Sequence, residues 1–298
     1  MARTASGSLR PLSRVLIATD FTPGASLALS RAGRLPLGPR PRLTLLHVLP
    51  RAGAPALRAR AESEAKARLK DEADRLRKAL KAHGADDPRV GTALATGEPF
   101  VEILARANHA DLLVLGRHGS RRFRDLLLGS TAERVIRVGH VPVLVVTTPA
   151  RAPYRRPLAA VDLTPASRLA LEAAARLLPR GRPMLDVVHV YETAHDRMLR
   201  RVAGPQGVAA YCRRCRAEAE EAVSSLLRDS PGGSAVRALL LRRGDPRHTI
   251  LSMVRHRRAD LVAIGSHGQS PMVGALVGSV AEGVVRHAPC DALIVHPA

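Results

Sequence analysis

Aromatic side chains are almost missing from this sequence: three phenylalanines, three tyrosines and no tryptophan in 298 residues. Its cores must therefore be built from Leu, Val, Ala and Ile, which suits a buried parallel sheet covered by alanine- and leucine-rich helices. The same shortage argues against a reader of single-stranded nucleic acid, which uses aromatic rings as stacking platforms. Lysine is scarce too, confined to Lys66, Lys70, Lys78 and Lys81 in one acid-rich segment. The net charge of +21 thus comes almost entirely from arginine, scattered through both halves rather than gathered in a tail or stripe. That pattern predicts non-specific attraction to polyanions at low salt, nucleic acid included, and no dedicated nucleic-acid surface. Three cysteines, an odd number, do not make a disulfide framework. No apolar run approaches the ~20 residues needed to cross a bilayer. The first fourteen residues carry basic groups without an apolar core, so no secretory signal is read. The expectation is a cytoplasmic protein with no membrane association.

What is present is a repeat. Gly116-Arg-His118-Gly119 leads to Leu128-Gly129-Ser130-Thr131, and 149 positions later Gly265-Ser-His267-Gly268 leads to Val277-Gly278-Ser279-Val280. Both copies read G-x2-G-x9-G-S. Each follows an apolar, strand-like run (Asp111–Leu115, Asp260–Ile264) and precedes a helical pattern (Ala132–Arg137, Ala281–Arg286). Strand, glycine loop and helix start make a phosphate-binding geometry. The first two glycines can take φ > 0 and present amides as an anion nest. The third, with its serine, sits at a helix N-terminus, where N–H groups and the dipole favour negative charge. One copy alone could be a turn and a serine cap; two with identical spacing are harder to dismiss.

With hydrophobic residues at 46%, the chain is long enough for two cores. Strands are expected at 14–20, 42–48, 90–95, 112–115 and 141–147. Helices start at Thr22-Pro23, a cap residue followed by an N1 proline, and run over 56–83, 98–108 and 130–138. The second half repeats the order, with strands at 156–162, 185–190, 236–241, 261–264 and 291–296, a helix from Thr164-Pro165, and a long helix to about Arg228 preceded or broken by Gly204-Pro-Gln-Gly207. Asp20 matches Asp162 and His47 matches His189, both 142 positions apart. The chain divides into a loose start (1–11), a first domain (12–149), a linker (150–157) and a second domain (158–298). Alternating strands and helices imply two tandem open five-stranded parallel α/β sheets with helices on both faces. Ligands of such sheets bind beyond the carboxyl ends of the strands, where Asp20, His47-Val48 and the Gly116 loop all fall. The proline-marked strand at 141–147 suggests an edge, and the two halves are expected to pair there.

These residues resemble the universal stress protein family, in a tandem form, over nearly the whole chain from about Arg14 to His296. The motifs are Ala18-Thr19-Asp20-Phe-Thr-Pro23, Leu46-His-Val48, Leu115-Gly-Arg-His-Gly119, Leu128-Gly-Ser-Thr-Ala132 and Val141–Val146. The second half offers Ala160-Val-Asp162-Leu-Thr-Pro165, Val188-His-Val190, Ile264-Gly-Ser-His-Gly268 and Val277-Gly-Ser-Val280. The resemblance implies a Rossmann-like fold of the adenine nucleotide α-hydrolase type. In the subgroup with intact glycines, it also implies binding of ATP, or of ADP or AMP, with Mg²⁺ as an accompanying ion. By that likeness Asp20 and Asp162 contact the adenosine end and the backbone at Val48 and Val190 reads adenine. The loops beginning at Leu115-Gly116 and Ile264-Gly265, with Gly119, Gly268, Gly129-Ser130-Thr131 and Gly278-Ser279-Val280, hold the phosphates. His118 and His267, between the loop glycines, are candidates for phosphate or metal contact, though solvated loop histidines are the common outcome. The first loop holds Arg121, Arg122 and Arg124 and the second holds no cation, so weaker triphosphate holding is expected in the second half.

Among single residues, Asp20 and Asp162 look available to a ligand because Thr22 and Thr164 already fill the cap positions. His47 and His189 are read as packed or hydrogen-bonded near the cleft. Cys212-Arg-Arg-Cys215 falls within a helix and has no second pair for a zinc site; two thiols on one face is the plain reading. The charged 58–81 helix reads as a solvated face. The lysine of a P-loop is missing and no G-x-S-x-G occurs, so no catalytic residue is assigned. The reading is a nucleotide-dependent stress-response regulator that alters contacts with an unknown protein partner, itself compatible with a homodimer. The alternatives, a slow ATPase or a basic nucleic-acid-associated protein, stay open.

Overall fold

The computed structural model describes residues 9–51, 54–117, 128–179, 184–191, 204–266 and 278–297. His118, Gly119, Arg121, Arg122, Arg124, His267 and Gly268 lie outside the described residues, as does the insert at 192–203.

The first half runs β1 (Leu12–Ala18), α1 (Pro23–Ala32), β2 (Leu37–Leu49), α2 (Pro55–Ala82), β3 (Arg89–Thr96), α3 (Pro99–Ala107), β4 (Leu112–Gly116), α4 (Ser130–Val138) and β5 (Val143–Val146). The second runs β6 (Pro157–Val161), α5 (Pro165–Arg176), β7 (Leu185–Tyr191), α6 (Gly204–Asp229), a 3₁₀ turn (Pro231–Ala235), β8 (Val236–Arg243), α7 (Pro246–His256), β9 (Leu261–Gly265), α8 (Ser279–His287) and β10 (Asp291–Val295). Thr22 and Thr164 cap α1 and α5 through their hydroxyls, with proline next in each case. Two differences from the sequence pattern are local. The Gly204–Gly207 segment is helical from its first residue, because glycine and proline are both tolerated in a first turn whose N–H groups have no intrahelical acceptor. The strand expected from Arg42 begins at Leu37, prolonged beside β1 across an irregularity in register.

All strand pairs within each half are parallel, and each half has the order β3-β2-β1-β4-β5 or its repeat, β8-β7-β6-β9-β10. The halves do not remain two separate sheets. β5 and β10 pair antiparallel, Leu144 opposite Leu293, so ten strands form one sheet about a pseudo-twofold axis. Side chains alternate across it and feed two apolar layers, each continuous through both halves. Ile17, Leu144, Val146, Ala159 and Leu293 point to the layer covered by α1, α2, α5 and α6. Leu16, Val143, Val145, Leu158 and Ile294 point to the one covered by α3, α4, α7 and α8. Two repeated aspartates align the strand starts. Asp111 accepts from the amides of Ser13 and Arg14, both at 2.8 Å, and Asp260 accepts from Arg155 and Arg156 at 2.7 and 3.0 Å.

Candidate functional site

The turn from β1 into α1 is fixed by its own polar groups. Asp20 Oδ1 accepts from the Thr22 amide at 3.1 Å and from its hydroxyl at 2.5 Å, while Thr22 Oγ1 accepts from the Ala25 amide at 3.3 Å. Asp162, Thr164 and Ser167 repeat the arrangement with 3.1, 2.5 and 3.3 Å. The aspartates are therefore less available than their positions suggested: one oxygen of each orients the capping threonine. Between them and the threonines, Phe21 and Leu163 hold φ of 61° and 69°. A left-handed backbone at a bulky residue is an uncommon strain, of the kind that marks functional turns. Nothing in the sequence pattern announced it.

The end of β2 closes onto this turn. The Thr19 amide donates to the Leu46 carbonyl at 2.9 Å, and His47 Nδ1 donates to the Thr19 carbonyl at 2.8 Å. His189 donates likewise to the Val161 carbonyl at 2.8 Å. Both histidines are thus held by the strand-end backbone, which fixes the tautomer with Nδ1 protonated. The Phe21 ring lies 4.4 Å from that of His47, and the Arg68 guanidinium covers Phe21 at 4.2 Å. Helix α2 is therefore more than a solvated face here. Its Glu72 is half-buried, with Oε2 lacking any hydrogen-bond partner. Burial, with the Asp20 charge adding, pushes its pKa above the ordinary carboxylate value, against the Thr19 hydroxyl, Arg68 and Arg75.

At the end of β4 the glycine is required by packing. A Cβ on Gly116 would lie 2.5 Å from the carbonyl carbon and oxygen of Gly24, and one on Gly265 would lie 2.9 Å from the Ala166 methyl. Neither glycine has positive φ, so the expected left-handed nest does not apply to these two; they let the first turns of α1 and α5 sit against the strand ends. The third glycines behave as expected. Gly129 and Gly278 are the N-caps of α4 and α8, and neither cap has a side chain to satisfy the first-turn amides. The Gly129 amide donates to the Arg117 carbonyl at 2.9 Å and the Gly278 amide to the Ser266 carbonyl at 2.6 Å, anchoring each loop end.

These segments enclose a cleft of about 660 Å³ at the carboxyl ends of β1, β2 and β4. It brings together Ala18, Thr19, Asp20, Val48, Leu115, Gly116, Gly129, Ser130 and Thr131, and adds Glu98, Phe100 and Arg134, which the sequence reading did not single out. The Arg134 guanidinium stands 5.0 Å over the Phe100 ring. The signal for Phe100 was available: it follows the first proline of α3 at a strand-end turn.

In the second half Asp162, Val190, Ile264, Gly265, Gly278, Ser279 and Val280 occupy the corresponding ends of β6, β7 and β9 and the start of α8. The surroundings differ. Arg247 and Gly283 stand where the first half has Phe100 and Arg134, and a Cβ on Gly283 would meet Arg247 Nε at 2.5 Å. The guanidinium has changed helices but occupies the same junction. Arg242 and Arg243 end β8, paired with Val190 and Tyr191 of β7. Arg243 also donates to Cys212 Sγ at 3.3 Å, and both cysteines of the Cys212–Cys215 pair lie within α6. Among the described residues no cluster of three or more His, Cys, Asp or Glu side chains forms a metal site, and no helix is long and apolar enough to cross a membrane.

The chain matches the model of the universal stress protein family twice, over residues 11–147 and 153–296. A universal stress protein A homolog of Coxiella burnetii is 29% identical over 142 residues, 48% of this chain and 96% of that protein. One universal stress protein of Methanocaldococcus jannaschii is 44% identical over 63 residues, 20% of this chain but only 37% of its own length. Among solved structures, a universal stress protein from Archaeoglobus fulgidus covers 96% of this chain and 98% of its own, with a TM-score of 0.68 at 20% identity, a likeness of fold. With two family domains joined in one sheet, the chain belongs to the universal stress protein family.

Proposed function

We propose that the first-half cleft binds an adenine nucleotide, that its repeat in the second half does the same, and that occupancy regulates contacts with a protein partner. One observation carries the reading. A cleft of about 660 Å³, within the ~300–1,000 Å³ usual for small-ligand sites, has the N-terminus of α4 opening into it through Gly129, Ser130 and Thr131. In this reading the first-turn amides and the Ser130 hydroxyl take phosphate oxygens, while Asp20 and the backbone at Val48 hold the ribose and base. Asp162, Val190, Gly265, Gly278 and Ser279 take the same parts in the second half. His118, Gly119, His267 and Gly268 complete the loops. Mg²⁺ enters only with the phosphates: Asp20 contributes one carboxylate, and magnesium held so sparsely by protein relies on phosphate oxygens. The function is binding, not turnover.

The test is calorimetry with ATP, ADP and AMP on Gly129→Asp and Gly278→Asp variants, beside mass spectrometry of any small molecule released when the native protein is denatured. An aspartate cap supplies the first-turn amides with an internal acceptor and repels phosphate, yet suits the helix. Each variant should lose about a hundredfold in affinity in its own half, ~2.7 kcal/mol, without losing stability. Absence of binding to all three nucleotides at millimolar concentration overturns the reading.

A further inference from the structure

The seam between β5 and β10 is flanked by two faces related by the pseudo-twofold axis, and they are filled differently. On one face Asp291 is completely buried. It accepts from Arg31 Nε at 3.0 Å, from the Tyr154 hydroxyl at 2.8 Å and from the amides of Thr147 and Thr148 at 2.9 and 3.1 Å. On the other face, the repeat spacing puts Pro142, Ala173 and Leu12 in the places of Asp291, Arg31 and Tyr154. The bulk and the ionic cluster are both missing there, and a cavity of about 740 Å³ remains between the halves.

Its lining is unbalanced in charge. Arg10, Arg14, Arg176 and His140 contribute to the wall, against Asp111 and Glu172. Both carboxylates are already engaged. Asp111 Oδ2 holds the amides of Ser13 and Arg14, and Glu172 Oε1 accepts from Arg168 and the Ser230 hydroxyl, each at 3.3 Å. Arg176 uses Nε to donate to the Arg10 carbonyl at 2.8 Å, and its Nη2 is 3.9 Å from Asp111 Oδ1, beyond hydrogen-bond reach. Among the described residues, the two terminal nitrogens of Arg176 and the side chains of Arg10, Arg14 and His140 have no hydrogen-bond acceptor. Burial pushes the Arg176 pKa below its ordinary value, which the Asp111 charge only partly offsets. A part-buried guanidinium whose fork is unmatched is suited to an anion presenting two oxygens.

We propose that this cavity between the halves binds a small oxyanion, with inorganic phosphate as its probe, gripped by the fork of Arg176 and neutralised by Arg14 and Arg10, with His140 completing the wall. The site stands at the amino ends of β1, β4 and β5, opposite the proposed nucleotide cleft, and does not depend on that reading. Because β1 and α5 belong to different halves, a bound anion ties the halves together and stabilises the fold by mass action.

The test titrates inorganic phosphate into the full chain carrying Gly129→Asp and Gly278→Asp, following heat and thermal midpoint. One phosphate per chain should bind and raise the midpoint. Arg176→Gln and Arg14→Gln should each weaken binding at least tenfold, whereas Arg213→Gln, an equal charge change on the exposed face of α6, should leave it unchanged. The Arg14 side chain makes no hydrogen bond, so its variant reports even if Arg176→Gln fails to fold. Refilling the cavity with Pro142→Asp and Ala173→Arg, in imitation of the opposite face, should abolish binding. The proposal falls if phosphate binds Arg14→Gln and Arg213→Gln alike, if the refilled variant still binds, or if no saturable binding appears.

Discussion

Beside the proposed base end of the first cleft lie Phe21 against a half-exposed His47, with Arg68 above and Glu72 behind; in the second half Leu163 and a buried His189 hold the matching places. Across the cleft the pair Phe100 and Arg134 becomes Arg247 and Gly283. What repeats without change is backbone: the aspartate-threonine turn, the histidine held by a strand-end carbonyl, and the glycine cap. The difference teaches that two kinds of residue shape such a cleft. Those that hold main chain in position keep their register through the duplication, while those that face the cavity trade places between helices.

The largest break in this symmetry should be energetic. Asp291→Ala leaves the Arg31 charge buried among lost partners, at 5% side-chain exposure, and should destabilise by about 3–5 kcal/mol in chemical denaturation. Asp186→Ala, whose partners Arg237 and Arg257 are 46% and 35% exposed, should lose about 1–2 kcal/mol; equal losses would show that burial of the seam cluster does not set its energy. Next come the packing glycines. Gly116→Ala drives a methyl to 2.5 Å from the Gly24 backbone and should lose about 2–3 kcal/mol, against about 1–2 kcal/mol for Gly265→Ala, whose methyl meets the Ala166 Cβ at 2.9 Å and the Ala166 and Ser167 backbone at 3.0 and 3.1 Å. The exchange of guanidiniums is subtler. Arg134→Gln should weaken ATP in the first half about fivefold, ~1 kcal/mol for one exposed charge, and Arg247→Gln should do the same in the second, with AMP little changed in both. If AMP weakens equally, the guanidiniums do not face the outer phosphates.

The smallest effect concerns Glu72. Because its carboxyl is held above the ordinary value of 4.5 in the folded chain, the folded state binds protons more tightly than the unfolded one. Stability from this group is present below that value and fades as pH rises through the raised one. Glu72→Gln should therefore be slightly more stable than the parent at neutral pH and indistinguishable near pH 4 (thermal midpoints across pH are the measurement).

Much of this was legible in the chain. The order of strands and helices, the threonine-proline helix starts, the glycine caps of α4 and α8 and the internal repeat follow from local chemistry: a hydroxyl near free amides, a proline at N1, a period of two or of 3.6. Local rules do not reach across the sheet. Arg247 stands in for Arg134 from a different helix, 36 residues before Gly283, the repeat equivalent of Arg134, and Glu72 approaches Asp20 from α2, with α1 and β2 between them in the chain. The purpose of Gly116 was legible only in part, because a close approach and a left-handed turn call for the same residue.

The sequence by itself determined that two α/β units exist and which strand ends carry their polar turns, since those depend on contacts a few residues long. The pairing of the halves at the 141–147 edge was expected and is found; only the tertiary structure decided that it is antiparallel, β5 against β10, that Asp291 anchors one face of the seam, and that a cation-lined cavity remains on the other. Those features come from side chains brought together from far apart in the chain, and burial, which sets the energy of each charge, exists only once they have met.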